Sequence, residues 1–306
     1  MDAYALLLAA ALNAGTMLAL AALGLLVNEK AGIVNLGAEG MMLCAALAGY
    51  AATVHTGSDW AGFAAGMAAG ALLAAMFGVL VIWLDTNPYA TGLALSLFGA
   101  GFSAFAGAGY ARAALPARSG FAIPGLADLP FIGPALFRQH PLVYVTALLA
   151  LALIWFLGRT RAGLALRAVG QAPQAAHALG WPVRRIRLAA VLFGGALCGL
   201  AGAYLSIIYT PLWMEGMVAG KGWIALALTA FANRRPAHVL AGAYLFGGVT
   251  MLQLHLQGQG VPVPSHFLTM LPYLAAIIVL ALISRNQGSI RADMPVPLGK
   301  PLRLPG

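Results

Sequence analysis

Charge is scarce in this chain of 306 residues, and negative charge is scarcest. Eight residues are acidic, seventeen are lysine or arginine, and only 8% of the chain is charged. Soluble domains carry about 25% charged residues, so a water-facing surface of ordinary composition is excluded. Cysteine is nearly missing too. Cys44 and Cys198 lie in separate apolar runs, which argues against a disulfide or a thiolate metal site and leaves them as small packing residues. No G-x-x-x-x-G-K-[ST] phosphate loop occurs, because Gly220-Lys221 runs into Gly222 and Gly299-Lys300 into Pro301. There is no H-E-x-x-H, no His/Cys cluster and no pair of carboxylates. The expectation is a chain with no catalytic residue, no metal, no bound cofactor and no ATP hydrolysis of its own.

Apolar residues are abundant instead. Hydrophobic residues make up 61% of the chain, and the mean hydropathy is +0.88. Lipid must replace water as the solvent for so much apolar surface. The 38 glycines suit close helix approach in lipid, where no hydrophobic force pulls helices together. A bilayer core needs about 20 apolar residues per helix. That ruler marks spans at residues 3–27, 33–54, 60–84, 90–108, 142–157, 188–208, 218–231, 239–256 and 267–284, the seventh of them short. The fold class is therefore all-α, a polytopic transmembrane bundle of about nine spans, between eight and ten. The first run lacks a basic flank and a small-residue cleavage site, so it reads as a retained span rather than a signal peptide.

Lysine and arginine orient the bundle. The connector 158–187 holds Arg159, Arg161, Arg167, Arg184, Arg185 and Arg187. With that connector in the cytoplasm, alternation puts Lys30, Arg234, Arg235, Arg285, Arg291, Lys300 and Arg303 on the same side, thirteen of the seventeen basic residues. Arg112, Arg118, Arg138 and Lys221 fall outside. The N-terminus is then external and the C-terminus cytoplasmic. The formal charge of +9 has its explanation in this bias, and no nucleic-acid partner is expected. Residues 1–285 form one transmembrane domain, with an external loop at 109–140 and a loose, proline-bearing cytoplasmic tail at 286–306.

Three passages could carry function. Residues 32–43 place Glu39 among apolar residues and glycines, with Asn35 four residues earlier on the same face if the stretch is helical. A carboxylate there faces protein or water rather than lipid. It could complement a helix start, contact a solute, or take part in gating or packing on a partner. The second passage is alanine-rich. Pro173 starts and Gly180 stops a short helix, small enough to plug a groove on another protein. The third is a loose echo of Gly37-Ala38-Glu39-Gly40 in Gly220-Lys221-Gly222, one expected at a cytoplasmic helix start and the other at an external one, as an inverted repeat requires.

These passages, with Asn87-Pro88 and residues 91–95, resemble in order the permease subunits of ABC importers for nucleosides and simple sugars, within the ribose and branched-chain amino-acid permease family. The matching passages are 32–43, 159–180 and 216–236. The resemblance implies a cytoplasmic ABC ATPase that binds ATP and Mg, a second permease (identical or paralogous) and an extracytoplasmic solute-binding protein. It implies a multi-pass protein of the bacterial plasma (inner) membrane. By position, Arg161, Arg167, Gly170, Gln171, Pro173, Ala175, Ala176 and Gly180 would form the ATPase-coupling loop. Asn35, Glu39, Asn87 and Ser96 are candidate path residues, with Asn13 and Gln253 as further polar lining groups. The competing reading is an ion-coupled secondary carrier of a small polar solute. Such carriers usually hold several intramembrane ionisable groups, and Glu39 alone is identified here.

Overall fold

The computed structural model describes residues 2–110, 114–116, 120, 124–125, 127, 132–259, 264–284, 295 and 298–299. Most of the expected tail at 286–306 and parts of the external loop lie outside the described residues. Among the described residues every regular element is helical, apart from one isolated bridge between Ala114 and Leu212. The chain runs through α1 (Asp2–Lys30), α2 (Ala38–Thr56), α3 (Asp59–Ile82) and α4 (Pro88–Gly107). Next come α5 (Ile132–Leu136), α6 (Pro141–Arg159), α7 (Arg161–Gln171), α8 (Pro173–Ala178) and α9 (Val183–Tyr204). It ends with α10 (Lys221–Phe231), α11 (Pro236–Gly258) and α12 (Ser265–Ser284). A π-helical stretch, Leu205–Tyr209, extends α9. Among the described residues six helices are long and apolar enough to cross a membrane.

Two boundaries differ from expectation. The apolar run places the start of the second span at Ile33, but its helix begins at Ala38. Gly32 has φ +85°, a backbone that turns the chain out of α1, and residues 33–35 are irregular. Asn35 therefore does not share a helix face with Glu39. The seventh span, α10, is only 11 residues, about 16 Å of helix against a hydrocarbon core of about 30 Å.

Helix α1 runs through the middle and packs on α11, α9, α10 and α6, while α3 and α9 make the most extensive helix pair. The α3–α9 seam is built from small residues at four-residue spacing: Gly66 and Gly70 on α3 against Gly195, Gly199 and Ala203 on α9, while Gly62, one turn earlier, lies against Gly49 of α2 and Ile207. A Cβ on Gly70 would sit 2.7 Å from the Gly199 Cα. In lipid the pair is held by backbone contact and dispersion, not by expelled water, so the lack of side chains is what makes it stick. Cys44 and Cys198 are buried and unlinked, as expected of packing residues.

Candidate functional site

The start of α10 presents N–H groups that no residue of its own helix can satisfy. Its N-cap is Gly220, at φ +80° and without a side chain. Glu39 supplies the missing acceptor from the first turn of α2. The Gly220 N–H donates to Oε1 and the Gly222 N–H to Oε2, both at 2.7 Å. Gly222 has no room for a side chain, since a Cβ would lie 2.6 Å from the Glu39 nitrogen. One carboxylate thus serves two helix N-termini, each of which carries a partial positive charge. Lys221 stands beside it, with Nζ donating to the carbonyls of Met217 at 3.3 Å and Val218 at 3.1 Å. Glu39 is 7% exposed.

The other end of α10 is tied to α1. After Phe231 the backbone passes through left-handed conformations at Asn233 (φ +49°) and Arg234 (φ +54°), unfavourable for residues with a Cβ. Arg234 Nε lies 2.6 Å from Glu29 Oε2, and the Thr229 hydroxyl donates to Glu29 Oε1 at 2.5 Å. Both charged side chains are buried. Helix α10 is therefore strung between two carboxylates, Glu39 at its N-terminus and Glu29 at its C-terminus.

This geometry corrects one detail of the echo. The alternation of spans puts the two motifs at opposite membrane surfaces, yet they touch. The irregular stretch 31–37 before α2 and the irregular stretch 210–220 before α10 each carry a helix start inward, and the two starts meet at Glu39.

The remaining path candidates divide. Asn35 Oδ1 accepts from the Gly37 N–H at 2.9 Å, and Ser96 Oγ donates to the Leu36 carbonyl at 2.7 Å, so both hold the approach to α2. Asn87 caps α4 by accepting from the Tyr89 N–H at 2.9 Å. Asn13 links Gln139 and Tyr204. Gln253, in contrast, lines a cavity of about 240 Å³ between α1, α10, α11 and α12, together with Lys221, Tyr209, Thr250, Phe246 and Tyr273. Sequence reasoning misses Glu29 and Arg234 as partners and assigns Lys221 to an external loop.

Thr160 ends α6 and begins α7: its hydroxyl donates to the Phe156 carbonyl at 2.7 Å and accepts from the Gly163 N–H at 3.0 Å. The short helix expected after Pro173 is present as α8, closed by Gly180 at φ +83°. Ala176 faces inward, while Gln171, Ala175 and Gly180 are exposed, as is Arg161; Arg167 is half-buried. Gly170 lies directly against the carbonyl of Lys30, and Arg187 packs over Gly32. The α7–α8 unit is therefore seated on the end of α1 and the start of stretch 31–37. On the opposite side, Leu115 N–H donates to the Pro211 carbonyl at 2.9 Å, which joins loop 109–140 to the segment before α10.

Among the described residues, an all-helical bundle with six helices long and apolar enough to cross a membrane is the architecture of a multi-pass membrane protein. A family model described as "Branched-chain amino acid transport system / permease component" matches residues 7–283, and the chain belongs to that family. It is a permease component of the ABC-transporter type. It is 40% identical to the "Putative glucose ABC transporter permease protein" of Haloferax volcanii, with 95% of each chain covered. It is 31% identical to the nucleoside ABC transporter permease protein of Lactococcus lactis, over 91% of this chain and 92% of that one. The guanosine ABC transporter permease protein of Bacillus subtilis is also 31% identical, over 93% and 92%. No solved structure matches the chain.

Proposed function

We propose that this chain is the membrane-spanning subunit of an ATP-driven importer for a simple sugar or nucleoside, delivered by an extracytoplasmic binding protein. It would sit in a prokaryotic plasma membrane with a cytoplasmic ATPase pair and a second permease, N-terminus outside and C-terminus inside. Nine crossings fit this orientation, with α2 and α10 as the two broken ones, running in opposite directions from a shared point near mid-membrane.

The observation that carries the reading is α8. It is an exposed six-residue helix, too short to be stable alone, yet held against α7, whose Gly170 rests on the end of α1. A push on α8 from an ATPase would reach Lys30 and Gly32, then stretch 31–37, then Glu39 and the start of α10. The cavity beside Lys221 is the solute region this reading favours. Tyr209, Phe246 and Tyr273 offer aromatic faces, and Thr250 and Gln253 offer hydrogen bonds suited to hydroxyl groups. The relatives, named for glucose, nucleoside and guanosine transport, support a sugar or nucleoside over an amino acid.

The test uses Ala175→Trp. Ala175 is exposed on α8, so the bulk lands on the docking face rather than in the core. Membrane insertion and thermal stability should be unchanged, while ATPase stimulation by loaded binding protein should be lost. Stimulation at the wild-type level would remove α8 from the coupling role.

A further inference from the structure

We propose that the apolar groove between α6, α7 and α9 binds an anionic phospholipid of the cytoplasmic leaflet, with acyl chain in the groove and phosphate on Arg159 and Arg185. The assignment of leaflet rests on the orientation proposed above.

The groove exists because α6 and α9 diverge. Helix α6 packs on α7, α11 and α1, whereas α9 packs chiefly on α3, α1 and α2. The gap left between them holds about 540 Å³ and is lined by Leu153 and Phe156 of α6, Leu166 of α7, and Ile186 and Phe193 of α9, with Trp181 among the walls. Every lining side chain is apolar. Ala162, Trp181, Ala189 and Phe193 are exposed, so the groove is open. The adjoining outer face of α6 is also apolar and exposed at Leu148, Leu151, Ile154 and Trp155. A greasy slot continuous with a lipid-facing helix admits an acyl chain at little cost, because the chain leaves one apolar medium for another.

Charge complementarity selects the headgroup. Residues 158–190 contain six arginines and no aspartate or glutamate. Arg159 lies three residues beyond Phe156, and Arg185 lies three beyond Pro182 and four before Ala189. Both therefore continue the stripes that line the groove. Both are exposed, and neither pairs with a carboxylate among the described residues. Guanidinium groups bind phosphate through paired hydrogen bonds, and basic pockets between membrane helices on the cytoplasmic side take anionic headgroups. Trp181 supplies the interfacial indole that such a site uses at the water boundary. A protein partner is the less suited occupant, because a stable interface needs about 1,000 Å² or more of buried surface, more than a groove of about 540 Å³ lined by a dozen side chains presents.

Native mass spectrometry of the full-length chain with its ATPase, released from nanodiscs of equimolar phosphatidylglycerol and phosphatidylcholine, tests this directly. The wild type should retain phosphatidylglycerol preferentially. The double variant Arg159→Gln/Arg185→Gln, altered only at exposed positions, should lose that preference by on the order of tenfold or more. Ala190→Phe, which fills the groove, should lower retention of both lipids. Ala175→Trp should keep the preference, so failure of the coupling role and failure of the lipid site are read separately. Equal retention of the two lipids by the wild type, an unchanged preference in the double variant, or photo-crosslinking from position 162 to a protein rather than to lipid would each overturn the proposal.

Discussion

Glu39 is a single side chain asked to satisfy donors on a helix to which it does not belong. With Glu39 replaced by alanine, the Gly220 and Gly222 N–H groups lose the carboxylate that accepts from them in a buried place. Each orphaned group costs about 1–3 kcal/mol. Glu39→Ala should therefore lower the melting temperature of the purified chain, and Glu39→Gln, which keeps one carbonyl acceptor, should lower it less. Equal effects would show that charge on the two helix dipoles matters more than the count of acceptors. The position is readable from sequence as a buried carboxylate near a helix start. Which helix it serves is not, because Gly220 is 181 residues away. Glu29 is hidden more thoroughly. Asn28-Glu29-Lys30 looks like the polar end of any span, and its partners Thr229 and Arg234 become visible only when α10 is laid against α1.

At the level of elements, the glycine seam between α3 and α9 sets how closely the two helices approach. Gly70→Ala pushes a methyl into the backbone of α9 and should destabilise the chain by about 1–3 kcal/mol. A larger residue such as leucine should block folding. Expression and monodispersity in detergent check this; a well-behaved Gly70→Leu protein would contradict the seam. Helix α6 offers a pH test outside the span. His140 caps it by accepting from the Leu142 N–H through Nδ1, with Phe63 and Tyr204 edge-on to the ring. Burial lowers its pKa below the usual 6.5, opposed by Asp59. Protonation is thus easier in the unfolded chain, so stability is complete above about pH 6.5 and declines as pH falls toward the folded pKa. Thermal unfolding from pH 7.5 to 5 should show that loss, and His140→Asn, which keeps a capping acceptor, should flatten it. Helix existence and type are legible because long apolar runs leave no alternative in lipid. Helix starts are less so: Ile33 and Val34 are as apolar as any span residue, and only the positive φ of Gly32 shows that the helix waits until Ala38.

For the whole molecule, composition makes a multi-pass membrane chain legible in the sequence itself, and the order of its motifs makes the permease family legible. The meeting of two broken helices at Glu39 is not, since each motif alone resembles an ordinary helix start. That meeting links the α7–α8 end of the molecule to the cavity beside Lys221 through α1, stretch 31–37 and α10, the route along which the proposed push on α8 would travel. The central claim is that the chain moves solute only when a separate ATPase drives it. Uptake of radiolabelled sugar or nucleoside into proteoliposomes tests this most directly, comparing the chain alone under proton and sodium gradients with the chain plus ATPase, binding protein and ATP. The account predicts no gradient-driven accumulation by the chain alone and ATP-dependent accumulation by the assembly. Accumulation by the chain alone, driven by either ion gradient, would contradict it and make the protein a secondary carrier.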